Sequence, residues 1–199
     1  MKPAIDFWFD FASTYSYPAA MRIAAAAARK GVQVSWRPFL LGPIFAAQGW
    51  RNSPFNIYPL KGQYMWRDLE RICDREGLPL RRPETFPQNS LLAARCALVL
   101  APADRPAFSR AVFSAEFGEG LRIDEPAAIR AALATAGLPE NALAAASKEE
   151  IKSALRSQTD EALRLQVFGA PSFLTHDGEL FWGNDRLEEA IEWAGAHGD

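Results

Sequence analysis

The stretch AIDFWFDFASTYSYPAAMRIAAAAARKGVQVSW, residues 4–36, decides the fold. In its first part Ile5, Phe7, Phe9 and Phe11 fall on one face and Asp6, Trp8 and Asp10 on the other. That is the period-two alternation of a strand. The chain then turns at Ala12-Ser13-Thr14 and enters strong helix formers from about Tyr15 to Lys30. Arg29 and Lys30 suit the negative C-terminal end of a helix, and Gly31 supplies a left-handed stop. VQVSW, residues 32–36, alternates again. Strand, helix and strand in this short span predict a right-handed parallel βαβ unit.

Downstream the pattern changes. From RPFLLGPIFAAQG to NSPFNIYPLKG the chain is rich in Pro, Gly and aromatic residues and reads as loop with a short helical piece. From Gln63 to about Gln166 it is almost wholly helical. One helix runs to Gly77, and another begins at an Asn89-Ser90 cap. Asp104 and Asp124 open two more, with Pro106 and Pro126 in their first turns. Ser147 with Glu150 has capping-box spacing for a helix to Val167, closed by Gly169. Then PSFLTHDGELFWG joins two short apolar runs at Asp177-Gly178, a hairpin signal. Asn184 caps a last helix, DRLEEAIEWAGAHG. The expected organisation is an α/β frame made of residues 1–40 and 167–199, with a helical insertion at 41–166.

Bulk properties narrow the function. The 199 residues are 49% apolar and 23% charged, ordinary for a soluble globular protein. A net charge of −2 argues against nucleic acid as a partner, because phosphate binding needs a basic surface. The N-terminal apolar run contains aspartates and does not read as a signal peptide. No run approaches the ~18 apolar residues of a membrane span, so a cytoplasmic protein is expected. Cys73 and Cys96 sit in separate helical patterns and read as reduced core thiols. His176 and His197 are the only histidines, and no G-x-S-x-G surrounds Ser13, which argues against a Ser-His-Asp hydrolase. Two histidines and two scattered cysteines make no metal cluster. DREGLPLRRPE reads as a solvated helix end and loop. Six Trp and thirteen Phe fit a thick core and a pocket for a flat apolar substrate.

Three segments carry chemistry, each beside a plainer role. Ser13 sits after a strand and before a helix, where ligands of open α/β sheets bind. The helix N-terminus there offers free N–H groups and partial positive charge. The Ser13 hydroxyl can donate to a thiolate brought in by a small molecule, or simply cap the helix; the two roles can coexist. GAPSF, residues 169–173, is either a cis Ala170–Pro171 that presents the Ala170 backbone beside Ser13 or a trans proline opening an edge strand. In FWGNDRL, Asn184 and Asp185 either cap a helix or hold a ligand with both a carboxylate and an ammonium, as a γ-glutamyl group has.

FDFASTYSY, RPFLLGPIF, KGQYMWRDLERIC, FPQNSLLAARCAL, VFGAPSF and FWGNDRLEEAI, in this order, resemble the 2-hydroxychromene-2-carboxylate isomerase family. Its wider group is the kappa-class glutathione transferases, on a frame similar to the bacterial disulfide oxidoreductases of the DsbA type. The resemblance covers essentially the whole chain and implies a thioredoxin-like α/β fold with a large all-helical insertion. It implies glutathione as cofactor, with Ser13 activating its thiol and Tyr15 in the same turn. Ala170 and Pro171 would meet its cysteinyl part, and Asn184 and Asp185 its γ-glutamyl end. Asn52 would lie near the substrate mouth, and Lys61 would match the lysine of the family's KG pair. A homodimer is implied too. The family turn commonly reads Ser-Pro-Tyr, and this chain has Ser13-Thr14-Tyr15. The Trp50-Arg51-Asn52-Ser53 segment admits a one-residue slip.

The expected activity is glutathione-dependent isomerisation of an aromatic hydroxychromene carboxylate to trans-o-hydroxybenzylidenepyruvate, in aromatic catabolism. Phe39, Phe45, Trp50, Tyr64 and Trp66 would form the apolar wall. The alternatives are a kappa-like transferase conjugating electrophiles, and a catalytically silent glutathione- or peptide-binding protein. Such a protein needs no cysteine of its own at the turn, because its ligand brings the sulfur.

Overall fold

The opening alternation forms β1, Ala4–Phe9, an inner strand of a four-stranded mixed sheet. The structure, a computed structural model, describes residues 2–198. β1 pairs in parallel with β2, Gln33–Pro38, and antiparallel with β3, Ser172–Thr175, which pairs antiparallel with β4, Leu180–Trp182. The order is β2-β1-β3-β4. The connection between β1 and β2 is α1, Ser16–Arg29, ended by Gly31 at φ +68°. The β3–β4 turn is the expected Asp177-Gly178, with Gly178 at φ +91° and its N–H on the Thr175 carbonyl at 3.0 Å.

Between β2 and β3 lies the helical block. Its helices are α2 (Leu41–Ala47), α3 (Pro54–Ile57), α4 (Pro59–Glu76), α5 (Leu91–Val99), α6 (Arg105–Phe113), α7 (Pro126–Thr135), α8 (Asn141–Ala145) and α9 (Glu149–Arg164). A π-helical turn, Ser114–Gly118, extends α6. After β4 a 3₁₀ turn, Asn184–Arg186, leads into α10, Leu187–His197.

Both faces of the sheet are covered. On one, Phe7 stacks on Phe9 and Phe173 at 4.9 and 5.6 Å and meets Trp36 edge-on at 5.0 Å. Phe9 and Phe11 continue that cluster to Phe113 of α6. On the other, Trp8 is fully buried with Phe39, Ile44, Ala162 and Val167, so α2 and α9 lie over it. Each aromatic side chain withdrawn from water here contributes about 1.5–3 kcal/mol.

Helix ends differ from expectation at several places. α7 starts after Glu125 rather than at Asp124. Asn184 opens a 3₁₀ turn with its side chain on Arg22 instead of capping α10, which starts after Arg186. Ser147 and Glu150 form no capping box: α9 starts at Glu149, and the Ser147 hydroxyl donates back to the Ala144 carbonyl at 2.8 Å, closing the turn after α8. Gln166, at φ +60°, takes the left-handed stop expected of Gly169. The glycine is needed for a different reason. A Cβ at 169 would stand 2.4 Å from the Trp182 indole nitrogen.

Candidate active site

At the end of β1 the chain closes a tight turn, the Ser13 N–H donating to the Asp10 carbonyl at 3.0 Å. The Ser13 Oγ accepts from the Ser16 N–H at 3.3 Å, which caps α1. The same hydroxyl donates to the Ala170 carbonyl at 3.0 Å. The Ala170–Pro171 peptide is cis. Register explains the meeting: Trp8 pairs with Ser172, so the two residues before Ser172 run past the end of β1 and face the turn.

Ser13 lies on the floor of a cleft of about 1040 Å³ between the sheet and the helical block. Of the sequence-predicted site residues, Ser13, Tyr15, Asn52, Lys61 and Ala170 line this cleft. Tyr15 donates its hydroxyl to Asp68 Oδ2 at 3.0 Å, and burial together with that carboxylate pushes its phenol well up. Its proton is directed at Asp68. Asn52 accepts through Oδ1 from the Ser53 N–H at 2.7 Å and from Asn56 Nδ2 at 3.2 Å. The Lys61 ammonium sits 4.7 Å from the centre of the Tyr58 ring.

Pro171 is buried beside the floor, and Asn184 and Asp185 lie outside the residues that line the cleft. Asn184 is buried, and its carbonyl and Oδ1 accept from Arg22 at 3.3 and 3.0 Å. Arg22 also meets Glu188 at 2.6 Å. The Asp185 carboxylate is exposed, with Arg186 at 4.0 Å. Sequence reasoning missed Arg22, a cation among the alanines of α1 that carries no motif signal.

The apolar wall is partly the expected one. Phe45 and Trp50 line the cleft with rings 5.7 Å apart. Phe39 and Trp66 do not: Phe39 packs on Trp8 at 6.0 Å and Trp66 on Phe86 at 5.0 Å, both inside the core. Tyr64 is exposed beneath Arg71. Phe168 and Trp182, with ring centres 5.1 Å apart and planes tilted by 57°, line the cleft instead. Their neighbours in sequence, GAPSF and the GND turn, were the only signals that could have found them. The segment Phe86–Leu91, with a cis Phe86–Pro87 peptide, completes the wall.

Charge in the cleft is uneven. Arg51 and Lys61 line it as cations. Asp10, the carboxylate in the lining, is 4% exposed and occupied by protein donors. Burial pushes its carboxyl up, against the pull of hydrogen bonds from Leu41, Ser90 and Ala12. Cys73 and Cys96 are free, buried, and pushed by burial up to about 11 and about 12. Among the described residues no group of three or more His, Cys, Asp or Glu could hold a metal ion, and no helix is long and apolar enough to cross a membrane.

The DSBA-like thioredoxin domain family matches residues 4–192 of this sequence. The 2-hydroxychromene-2-carboxylate isomerase of Sphingobium xenophagum is 30% identical over 192 residues, covering 94% of this chain and 96% of that protein. Glutathione S-transferase kappa 1 of Caenorhabditis elegans is 29% identical, covering 93% of this chain and 88% of its own. A solved 2-hydroxychromene-2-carboxylate isomerase superposes with a TM-score of 0.85 at 29% identity, over 97% of this chain and 95% of that one.

Proposed function

This chain belongs to the DSBA-like thioredoxin domain family, beside the 2-hydroxychromene-2-carboxylate isomerases and kappa-class glutathione transferases, and from that premise we propose that it is a glutathione-dependent isomerase of hydroxychromene carboxylates. The observation that carries the reading is the Ser13 hydroxyl, held at the α1 N-terminus against the Ala170 carbonyl on the floor of a largely apolar cleft.

What supports the tripeptide is the meeting of Ser13 and Ala170 on the cleft floor, where its cysteinyl part would lie. Glutathione would supply a thiolate that adds reversibly to a conjugated carbon of the substrate and leaves again, so that the net change is isomerisation. Ser13 would turn its O–H from the Ala170 carbonyl towards the sulfur. A free thiol has a pKa near ~8.5, and a helix N-terminus with one donor lowers it by about a unit or more. The Ala170 backbone, extending the sheet edge past β1, would pair with the cysteinyl peptide. Asp185, exposed at the start of the 3₁₀ turn, would take the γ-glutamyl ammonium beside Asn184. Phe45, Trp50, Phe168 and Trp182 would sandwich the aromatic ring, with Arg51, Asn52 and Lys61 at the carboxylate. Pairing of two chains would cover α4 residues Leu60 and Tyr64, which are 80% and 63% exposed. A cytoplasmic setting, where glutathione is reduced, suits this chemistry.

The test follows hydroxychromene carboxylate spectrally while assaying thiol. Conversion with glutathione recovered unchanged supports the isomerase. Net thiol consumption with a chloronitrobenzene would favour a transferase, a second reading supported by the kappa-class relatives. Binding without either reaction would leave a silent module and overturn the proposal.

A further inference from the structure

β1 and β2 separate just above the site. The last backbone bond joining them is the Phe39 N–H on the Phe9 carbonyl at 3.0 Å. Beyond it β1 turns into the Ser13 loop, and β2 passes into α2. Backbone pairing therefore stops where the floor of the cleft and one of its walls begin.

One side chain spans that gap. Asp10 Oδ1 accepts from the Ala12 N–H at 3.0 Å, and Oδ2 accepts from the Leu41 N–H at 2.7 Å. The Ser90 hydroxyl, at the mouth of α5, faces the same carboxylate. Leu41 is the first residue of α2, and Leu40 before it offers no side-chain cap. The first N–H groups of a helix have no partner within the helix and favour a negative charge. Asp10 thus caps α2 from another strand while it fixes the turn that carries Ser13. Asp10, Ala12, Ser13, Leu41 and Ser90 all line the cleft.

We infer that Asp10 is a positioning residue for the thiol chemistry: its carboxylate pins the Ser13 turn to the start of α2 and so fixes the Ser13 hydroxyl relative to a bound sulfur. The inference rests on the glutathione reading given above. Glu116, buried on the π-helical turn, is the acidic neighbour, and its carboxyl is pushed up by burial first and then by the fields of Asp10 and Asp124. Burial favours the neutral form of both carboxyls; at Glu116 no donor opposes it, whereas at Asp10 the surrounding donors do.

Asp10→Asn keeps the shape but replaces one acceptor with an N–H₂ group that cannot receive the Ala12 or Leu41 proton. Leu41→Pro approaches from the other side. It deletes the capped N–H, at a first helical position that suits proline after an extended Leu40, and exchanges the leucine side chain packed against the Trp8 cluster for a smaller apolar ring. Two readouts apply to both variants: ultraviolet titration of the thiolate of bound glutathione, and amide hydrogen exchange across residues 12–16 and 41–47.

The expected result is a thiol titration raised by about one pH unit or more in Asp10→Asn and a smaller rise in Leu41→Pro. Turnover at neutral pH falls about tenfold or more in Asp10→Asn, with the glutathione KM changed less than kcat, and amide exchange speeds up at both segments. If wild type acidifies the thiol and both variants do so equally, the inference is overturned while the function stands. If wild type does not acidify it, the functional reading fails, and unchanged exchange in the variants overturns the pin separately. A variant that fails to fold leaves the other to decide.

Discussion

At the scale of single residues, Ser13 joins two tasks in one hydroxyl. It accepts from Ser16 and donates to Ala170. Ser13→Ala is expected to lose the cap, at about 0.5–2 kcal/mol of stability. On the proposed mechanism it also loses about a hundredfold in turnover, the usual cost of one donor to a developing anion. Glutathione affinity by calorimetry should change less than threefold. Equal turnover in the variant would remove Ser13 from the chemistry. The sequence made this residue legible because its neighbourhood is local: strand, turn and helix start are contiguous, and the GAPSF signal supplies the second strand. Asn184 shows the opposite case. Its side chain is engaged by Arg22, 162 positions away, and no pattern in either segment announces the contact.

At the scale of elements, the π-helical turn after α6 places Glu116 where water cannot reach. Both carboxyl oxygens lack a hydrogen-bond partner, and burial pushes the group well above the ordinary glutamate range of 4.5. A carboxyl whose folded pKa is raised gives its full stability below the unfolded value and loses it as pH rises through the folded one. Wild-type stability should therefore fall from about pH 4.5 upward, at up to ~1.4 kcal/mol per pH unit. Asp10, raised in the same direction, adds to the slope. Asp124 and Asp177 are held below 3.8, by Arg122 and by Thr175 with Trp193, and titrate beneath this window. Glu116→Gln should flatten most of the slope in denaturant midpoints measured from pH 4.5 to 8. An unchanged slope would show that Glu116 does not titrate there. Helix existence was readable from periodicity, but helix ends were not. The start of α2 is capped by Asp10 and the end of α9 by Gln166, choices that only the tertiary arrangement explains.

At the scale of the whole molecule, sheet and helical block share one core. Ile5 and Phe7 of β1 belong to the same buried cluster as Ile129 and Leu133 of α7. Trp8 joins the opposite face to α2 and α9. Trp8→Ala should cost about 3–5 kcal/mol. The loss should appear as one transition, with near- and far-ultraviolet circular dichroism coinciding. Two separated transitions would mean that the block unfolds apart from the sheet. The α/β frame with its helical block was legible because alternation and helical periodicity alternate cleanly along the chain. The walls of the cleft were less so. Phe39 and Trp66 have the composition of pocket residues, yet β2 and α4 direct them into the core, and sequence does not carry that rotation. Phe168 and Trp182 come together only when β4 folds back on β3.

The two thiols of the chain are sequestered and barely acidic, and the turn between β1 and α1 carries the Ser13 oxygen rather than a sulfur. Oxidants and alkylating agents attack thiolates within their reach. On the proposed mechanism the only such group is the one that dissociates. Poisoning would then consume the exchangeable tripeptide and spare the polypeptide, which regains activity with the next molecule from the cellular pool.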